Sequence, residues 1–204
     1  MKVQEHYAKY VRGGGDGLTV LEGRAAELGY EKDALVPSSL HDPALFQVSC
    51  GSGCPLALPH GKPTADDKLV MDLGCGAGHD VLLASSYMLQ GKAIGVDLTP
   101  EMIAAAKENA QKHAPSQVQT EFLQADFANP EEDFVKQYQN QVDLIVSNGV
   151  FNLCRDKAQA FQVVFQLLRP GGRLVFSDVM KLEASDINPN AKIATSINGD
   201  VFSS

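Results

Sequence analysis

The chain reads as an α/β protein, a parallel sheet covered by helices on both faces. From Lys68 onward, apolar strand-like runs alternate with helix-like stretches, and such alternation implies a parallel sheet. The first run, Leu69–Leu73, opens directly into Gly74, Gly76 and Gly78 at alternate positions. Glycines there let the backbone turn tightly and come close to a ligand. In open sheets of this kind, ligands lie beyond the carboxyl ends of the strands, near the point where strand order reverses.

The elements follow in order. After the strand at Leu69–Leu73 comes a helix over His79–Leu89, then a strand over Ala93–Val96 that ends at Asp97. Thr99 is placed to cap a helix over Pro100–His113, with proline at the first helical position, where it is tolerated. Val118–Leu123 reads as a strand, Glu131–Gln139 as a helix and Val142–Val146 as a strongly apolar strand. Lys157–Leu168 reads as a helix, Pro170-Gly171-Gly172 as a turn, and Arg173–Ser177 as the fifth strand. Residues 1–64 differ: they are irregular, with Gly13-Gly14-Gly15 and an Asp42-Pro43 turn signal. Within them, Thr19 and Glu22 make a capping box for a short helix over Thr19–Leu28. The expected organisation is a cap or lid over residues 1–64 and a cofactor-binding domain over residues 65–204.

Composition bounds the function. With 204 residues, 44% hydrophobic and 21% charged, the chain can bury a real core in one domain. A formal charge of −8 and no lysine or arginine cluster argue against a nucleic-acid partner. Apolar runs are only a few residues long, so no membrane span is expected. The Met1–His6 stretch lacks the apolar region of a signal peptide, which makes the cytoplasm the expected compartment. The four cysteines, Cys50, Cys54, Cys75 and Cys154, then read as thiols, not as a disulfide framework.

The glycine spacing is informative. A dinucleotide fingerprint needs glycine or alanine where this chain has His79, so a nicotinamide cofactor does not fit. Asp72 precedes the loop, and Asp97 closes the next strand roughly twenty residues on, where a ribose-binding carboxylate is expected. The third strand leads into Ala125-Asp126-Phe127, an acid for an adenine amino group and a ring to pack beside it. The fourth leads into Ser147-Asn148-Gly149-Val150, at the mouth where an acceptor would sit. Each residue also has a plain structural use: a glycine turn, a strand stop, a helix cap. His79 and Asp80 in particular read as helix-start polar residues in a supporting role. Four strand ends carrying ligand groups in sequence order favour cofactor binding.

Gly74-Cys75-Gly76-Ala77-Gly78 after Asp72 resembles motif I of the class I S-adenosylmethionine methyltransferases. Within them, Phe46–Gly51, Leu73–Asp80, Val96–Met102, Val146–Leu153 and Leu168–Leu174 resemble segments of the arsenite methyltransferase family. The Ser147-Asn148-x-Val150-x-Asn152-Leu153 and Cys50-Gly51 pieces are the discriminating ones.

The resemblance implies a Rossmann-like class I methyltransferase sheet with S-adenosylmethionine as cofactor and a small-molecule acceptor, arsenite first. It places cofactor contacts at Asp72, Gly74, Cys75, Gly76, Gly78, Asp97, Leu98, Thr99, Met102, Ala125, Asp126, Phe127 and Asn148. Family metalloid chemistry rests on thiolates, and Gly149 stands where one of those cysteines is expected. Cys50 and Cys154 are the candidate catalytic thiols, and Cys50, Cys54 and Cys154 a candidate rearranged metalloid site. Alternatives are a small organic acceptor of quinone or sterol type, or a non-catalytic binder of the cofactor. The resemblance also implies two strands after the fifth, which residues 178–204 are too few to supply. The sheet is therefore expected to be truncated at its C-terminal strands, with an open edge that favours a homodimer.

Overall fold

The computed structural model describes residues 52–179, with Glu5 and Ala8 the only described positions before them. The expected helix at Thr19–Leu28, residue Cys50 and everything after Val179 lie outside the described residues. Five parallel strands form one sheet: β1 (Leu69–Leu73), β2 (Gly91–Asp97), β3 (Val118–Gln124), β4 (Val142–Asn148) and β5 (Leu168–Ser177). Their spatial order is β3-β2-β1-β4-β5, so the chain reverses direction across the sheet between β1 and β4. The predicted parallel sheet with helices on both faces is what the chain forms.

Strand alternation divides the core in two. Val70, Ala93, Leu144 and Val146 face α1 (His79–Tyr87) and α2 (Pro100–His113), which contribute Val81, Leu82, Leu83, Ile103 and Ala106. Met71, Leu73, Ile94, Val96 and Ile145 face α3 (Asp133–Gln137) and α4 (Lys157–Leu167), which contribute Phe134, Val135, Ala160, Val163 and Val164. Cys54 and Leu56, around a short 3-10 turn at Pro55–Ala57, share the first core.

Boundaries differ from expectation for local reasons. Helix α1 stops at Tyr87, not Leu89: the Ser85 and Ser86 hydroxyls donate back to the carbonyls of Leu82 and Leu83, each at 2.7 Å, and Met88 turns to an extended conformation. Helix α3 is shorter than predicted at both ends. Glu132 is extended, and Tyr138 leaves the helix to place its hydroxyl 3.0 Å from Glu121 Oε2. The predicted turn at Pro170–Gly172 falls inside β5, where it survives as a bulge. Val142 pairs with Leu168 but Leu144 with Arg173, and Gly171 takes φ +79°.

Two arginines of β5 fasten the approach to β1. Arg173 makes a two-pronged pair with the buried Asp67, at 2.8 and 3.1 Å, and donates to the carbonyls of His60 and Lys62. Arg169 pairs with Asp143, whose carboxylate also accepts the N–H groups of Lys68 and Leu69 at 2.8 Å.

Candidate cofactor site at the strand ends

The glycine loop between β1 and α1 is held at its root. Gly74 N–H and Cys75 N–H both donate to the Val96 carbonyl, at 2.8 and 3.0 Å. Asp97 then clamps the tip. One carboxylate oxygen accepts Gly76 N–H at 2.9 Å, and the other accepts Thr99 N–H at 2.8 Å. Thr99 begins α2 without a hydroxyl cap of its own, and the Asp97 carboxylate holds its backbone N–H.

The three loop glycines all have positive φ, yet they are glycine for two different reasons. A side chain on Gly74 would strike Val150, 2.4 Å away, and one on Gly78 would strike Phe122 at 2.8 Å and Ala106 at 3.0 Å. Those two allow close packing. Gly76 is different: its nearest neighbour, Met102 Sδ, is 3.9 Å from where a Cβ would stand. The backbone there faces open space, a cradle that a ligand can enter.

The loop's electrostatics favour a cation. Asp72 is 3% exposed, and its Oδ1 has no hydrogen-bond partner among the described residues. Burial pushes its carboxyl well above the usual carboxylate range, and Asp80 and Asp97 push the same way. Burial also raises Asp97, outweighing the N–H groups of Thr99 and Gly76 that favour its charged form. Three carboxylates converging on one loop carry a standing cost, and a bound positive charge would relieve it. A nucleoside with a cationic tail fits this donor set.

The other residues expected to contact a cofactor lie at the ends of β2, β3 and β4 and in the first turn of α2. Leu98 is half-exposed beside Asp97, while Met102 is buried below Gly76. Ala125 N–H donates to the Asp97 carbonyl at 3.0 Å, which ties the end of β3 to that of β2. Asp126 is exposed, and its Oδ1 accepts Ala128 N–H at 3.0 Å. Phe127 is buried and meets the Phe151 ring edge-on at 5.6 Å. The Cys75 side chain is buried against Gly95 and Phe122, so this residue offers the loop its backbone.

Across the switch point, Ser147 Oγ donates to the Leu73 carbonyl at 2.7 Å, holding β4 to β1. Asn148 at the tip of β4 accepts Ser52 N–H at 2.7 Å and donates to Asp80 Oδ2 at 3.3 Å. Ser52 carries no sequence signal of its own: chain folding places it here from 96 residues away.

Cys54 and Cys154 lie against different cores. Cys54 packs in the core shared with α1 and α2, whereas Cys154 packs against the core under α3 and α4. Burial pushes Cys54 up to about 12 and Cys154 to about 11. Among the described residues, no group of three or more His, Cys, Asp or Glu side chains could hold a metal ion.

Comparison with known proteins agrees with this geometry. Residues 65–198 match the model of a methyltransferase domain family, well over half the chain. The chain therefore belongs to the methyltransferase domain family, and its sheet and glycine loop are those of the class I S-adenosylmethionine-dependent group. It is 36% identical over 155 residues to the arsenite methyltransferase of Halobacterium salinarum, covering 76% of this chain and 36% of that one. It is also 30% identical over 123 residues to the ribosomal protein L11 methyltransferase of Photobacterium profundum, covering 59% of this chain and 37% of that one. Among solved structures it resembles an arsenic(III) S-adenosylmethionine methyltransferase from Chlamydomonas reinhardtii, with TM-score 0.52 and 25% identity, covering 71% of this chain and 48% of that one. The chain spans little more than a third of the length of the curated relatives it matches.

Proposed function

We propose that this chain is the donor-binding domain of an enzyme that transfers a methyl group from S-adenosylmethionine to a small acceptor, with arsenite the first acceptor to test. The observation that carries this reading is the open backbone at Gly76, flanked by Asp97 and by the buried Asp72, whose Oδ1 has no partner among the described residues. Bound there, S-adenosylmethionine supplies a methyl group on a cationic sulfur that leaves as a neutral thioether. Asp97 would take the ribose hydroxyls, and Asp72 and Asp80 would face the cationic end. The glycine loop and the β4 tip would fix the angle of approach and exclude water, and such alignment can supply several kcal/mol. A general base is needed only for an acceptor that arrives protonated.

Arsenite is supported by the matched Ser147–Leu153 segment and by the relatives' activities. The placement of Cys54 and Cys154 on opposite faces of the sheet supports a second reading, a small organic acceptor of quinone or sterol type. A third is a non-catalytic cofactor binder. Protein amide acceptors are disfavoured because Asn148-Gly149-Val150-Phe151 lacks the prolines of amino-methylating loops. The acidic charge of −8 supports a small molecule over nucleic acid, and a cytoplasmic setting is proposed with it. No helix among the described residues is long and apolar enough to cross a membrane.

Calorimetric titration with S-adenosylmethionine, followed by an arsenite methylation assay with a thiol reductant, tests the reading. Cofactor binding without methylated arsenic would overturn the metalloid acceptor. No cofactor binding would overturn the whole proposal.

A further inference from the structure

Asn148 joins the donor half of the site to the acceptor half. Its amide oxygen accepts Ser52 N–H at 2.7 Å, and its amide nitrogen donates to Asp80 Oδ2 at 3.3 Å. Asp80 lies in the first turn of α1, two residues past Gly78, and is 6% exposed. Its charge bears on Asp72 beneath the glycine loop and on Cys54. Ser52 stands two residues before Cys54, and the segment runs on into Leu56, buried in the same core as α1.

We propose that Asn148 is a positioning residue that couples cofactor occupancy to closure of the Ser52–Leu56 segment beside the acceptor mouth. This rests on the methyltransferase reading above. An amide is the side chain suited to the task, because it offers an acceptor and a donor in one plane. A carboxylate offers acceptors alone, and an aliphatic side chain neither. A cation arriving at the glycine loop changes the field on Asp80, and the Asn148 amide passes that change to Ser52. Among the described residues the other side-chain tie of Ser52, from its hydroxyl to the Ser177 carbonyl, is 3.5 Å long and weak. Coupling of this kind is reciprocal: a ligand that tightens the segment binds more strongly when the segment is closed.

Spatial adjacency alone does not demonstrate coupling, so the test reads it directly. Cys54 is 5% exposed and reacts only when its segment opens, which makes it a reporter. Alkylation of the full chain by iodoacetamide is followed cysteine by cysteine by mass spectrometry, with and without S-adenosylmethionine. In the wild type the ligand slows labelling of Cys54 several-fold. In Asn148→Ala, Cys54 labels roughly tenfold faster without ligand, the loss expected of one good hydrogen bond. Asn148→Asp keeps an acceptor for Ser52 but sets a like charge against Asp80. Its Cys54 stays slow, and the ligand no longer changes the rate.

Cys75, in the core, reports on the fold itself. If it accelerates in step with Cys54 in Asn148→Ala, that variant is unfolding and Asn148→Asp alone decides. Ligand bound with no change at wild-type Cys54, or a full ligand effect retained in Asn148→Asp, overturns the coupling and leaves the methyltransferase reading standing. Failure of the wild type to bind the ligand by calorimetry overturns both.

Discussion

At the residue scale, the glycine loop separates packing from ligand approach, and substitutions can tell them apart. Gly76→Ala meets open space but keeps φ +50°, so its stability cost is the left-handed strain, about 1–2 kcal/mol. Its added methyl group stands where the cofactor would approach, so affinity for S-adenosylhomocysteine falls by roughly tenfold or more, ~1.4 kcal/mol. Gly78→Ala carries the same strain plus a clash with Phe122 at 2.8 Å, which adds about 1–3 kcal/mol of overpacking. Melting curves paired with calorimetry check this, and equal loss of affinity per unit of stability in both variants would contradict it. Asp72 yields a pH prediction. Its carboxyl is raised in the folded chain, so the stability that this group contributes is fully present below the ordinary carboxylate range and is lost as pH rises through the raised value. Asp72→Asn should therefore melt increasingly above the wild type as pH goes from 5 to 8 without ligand, while binding the cationic cofactor more weakly. A difference in melting temperature that stays flat across that range would refute the assignment.

At the element scale, the β5 arginines show how much the sheet depends on a segment before β1. Asp67 is 3% exposed, and burial would push its carboxyl up, but the bonds from Arg173 and Thr64 hold it below the usual range. Arg173→Met leaves that buried charge without its partner and frees the carbonyls of His60 and Lys62. With Arg173 partly exposed, the expected loss is about 2–4 kcal/mol in urea denaturation. A loss below about 1 kcal/mol would show that Asp67 is relieved in another way. The order and type of every strand and α-helix between Lys68 and Ser177 could be read from sequence, because period, capping and glycine spacing are local signals, whereas the 3-10 turn at Phe151–Leu153 carried none. The glycine loop and Asp97 were legible for the same reason: about twenty residues separate them, and the strands carry both to one sheet end. Element ends were less legible. Ser85 and Ser86 close α1 early, and the Pro170-Gly171-Gly172 signal marks a bulge where a turn was expected. Ser52 and the separation of Cys54 from Cys154 could not be read at all, since they depend on which sheet face each segment covers.

At the scale of the whole molecule, charge and apolar surface pull in opposite directions. A net charge of −8 keeps copies of the chain apart, yet Phe161, Phe165 and Phe176 are 40, 81 and 40% exposed, with Val179 close behind β5 at 58%. The rings are continuous with the core: Phe151 stacks on Phe161 at 4.6 Å and meets Phe176 at 5.2 Å. Gln162 and Gln166 flank Phe161 and Phe165 on α4, and the charges nearest them in sequence are Lys157, one turn before Phe161, and Asp178, between Phe176 and Val179. A homodimer formed through this face would bury the rings where repulsion is least, and that is the assembly we propose. Sedimentation velocity should then show a coefficient that rises with protein concentration in the wild type, more steeply as added salt screens the acidic remainder. Phe165→Asp should remove that rise while leaving thermal stability within about 0.5 kcal/mol, because the side chain is mostly in water. A single monomeric coefficient for the wild type at every concentration and salt would rule out the dimer.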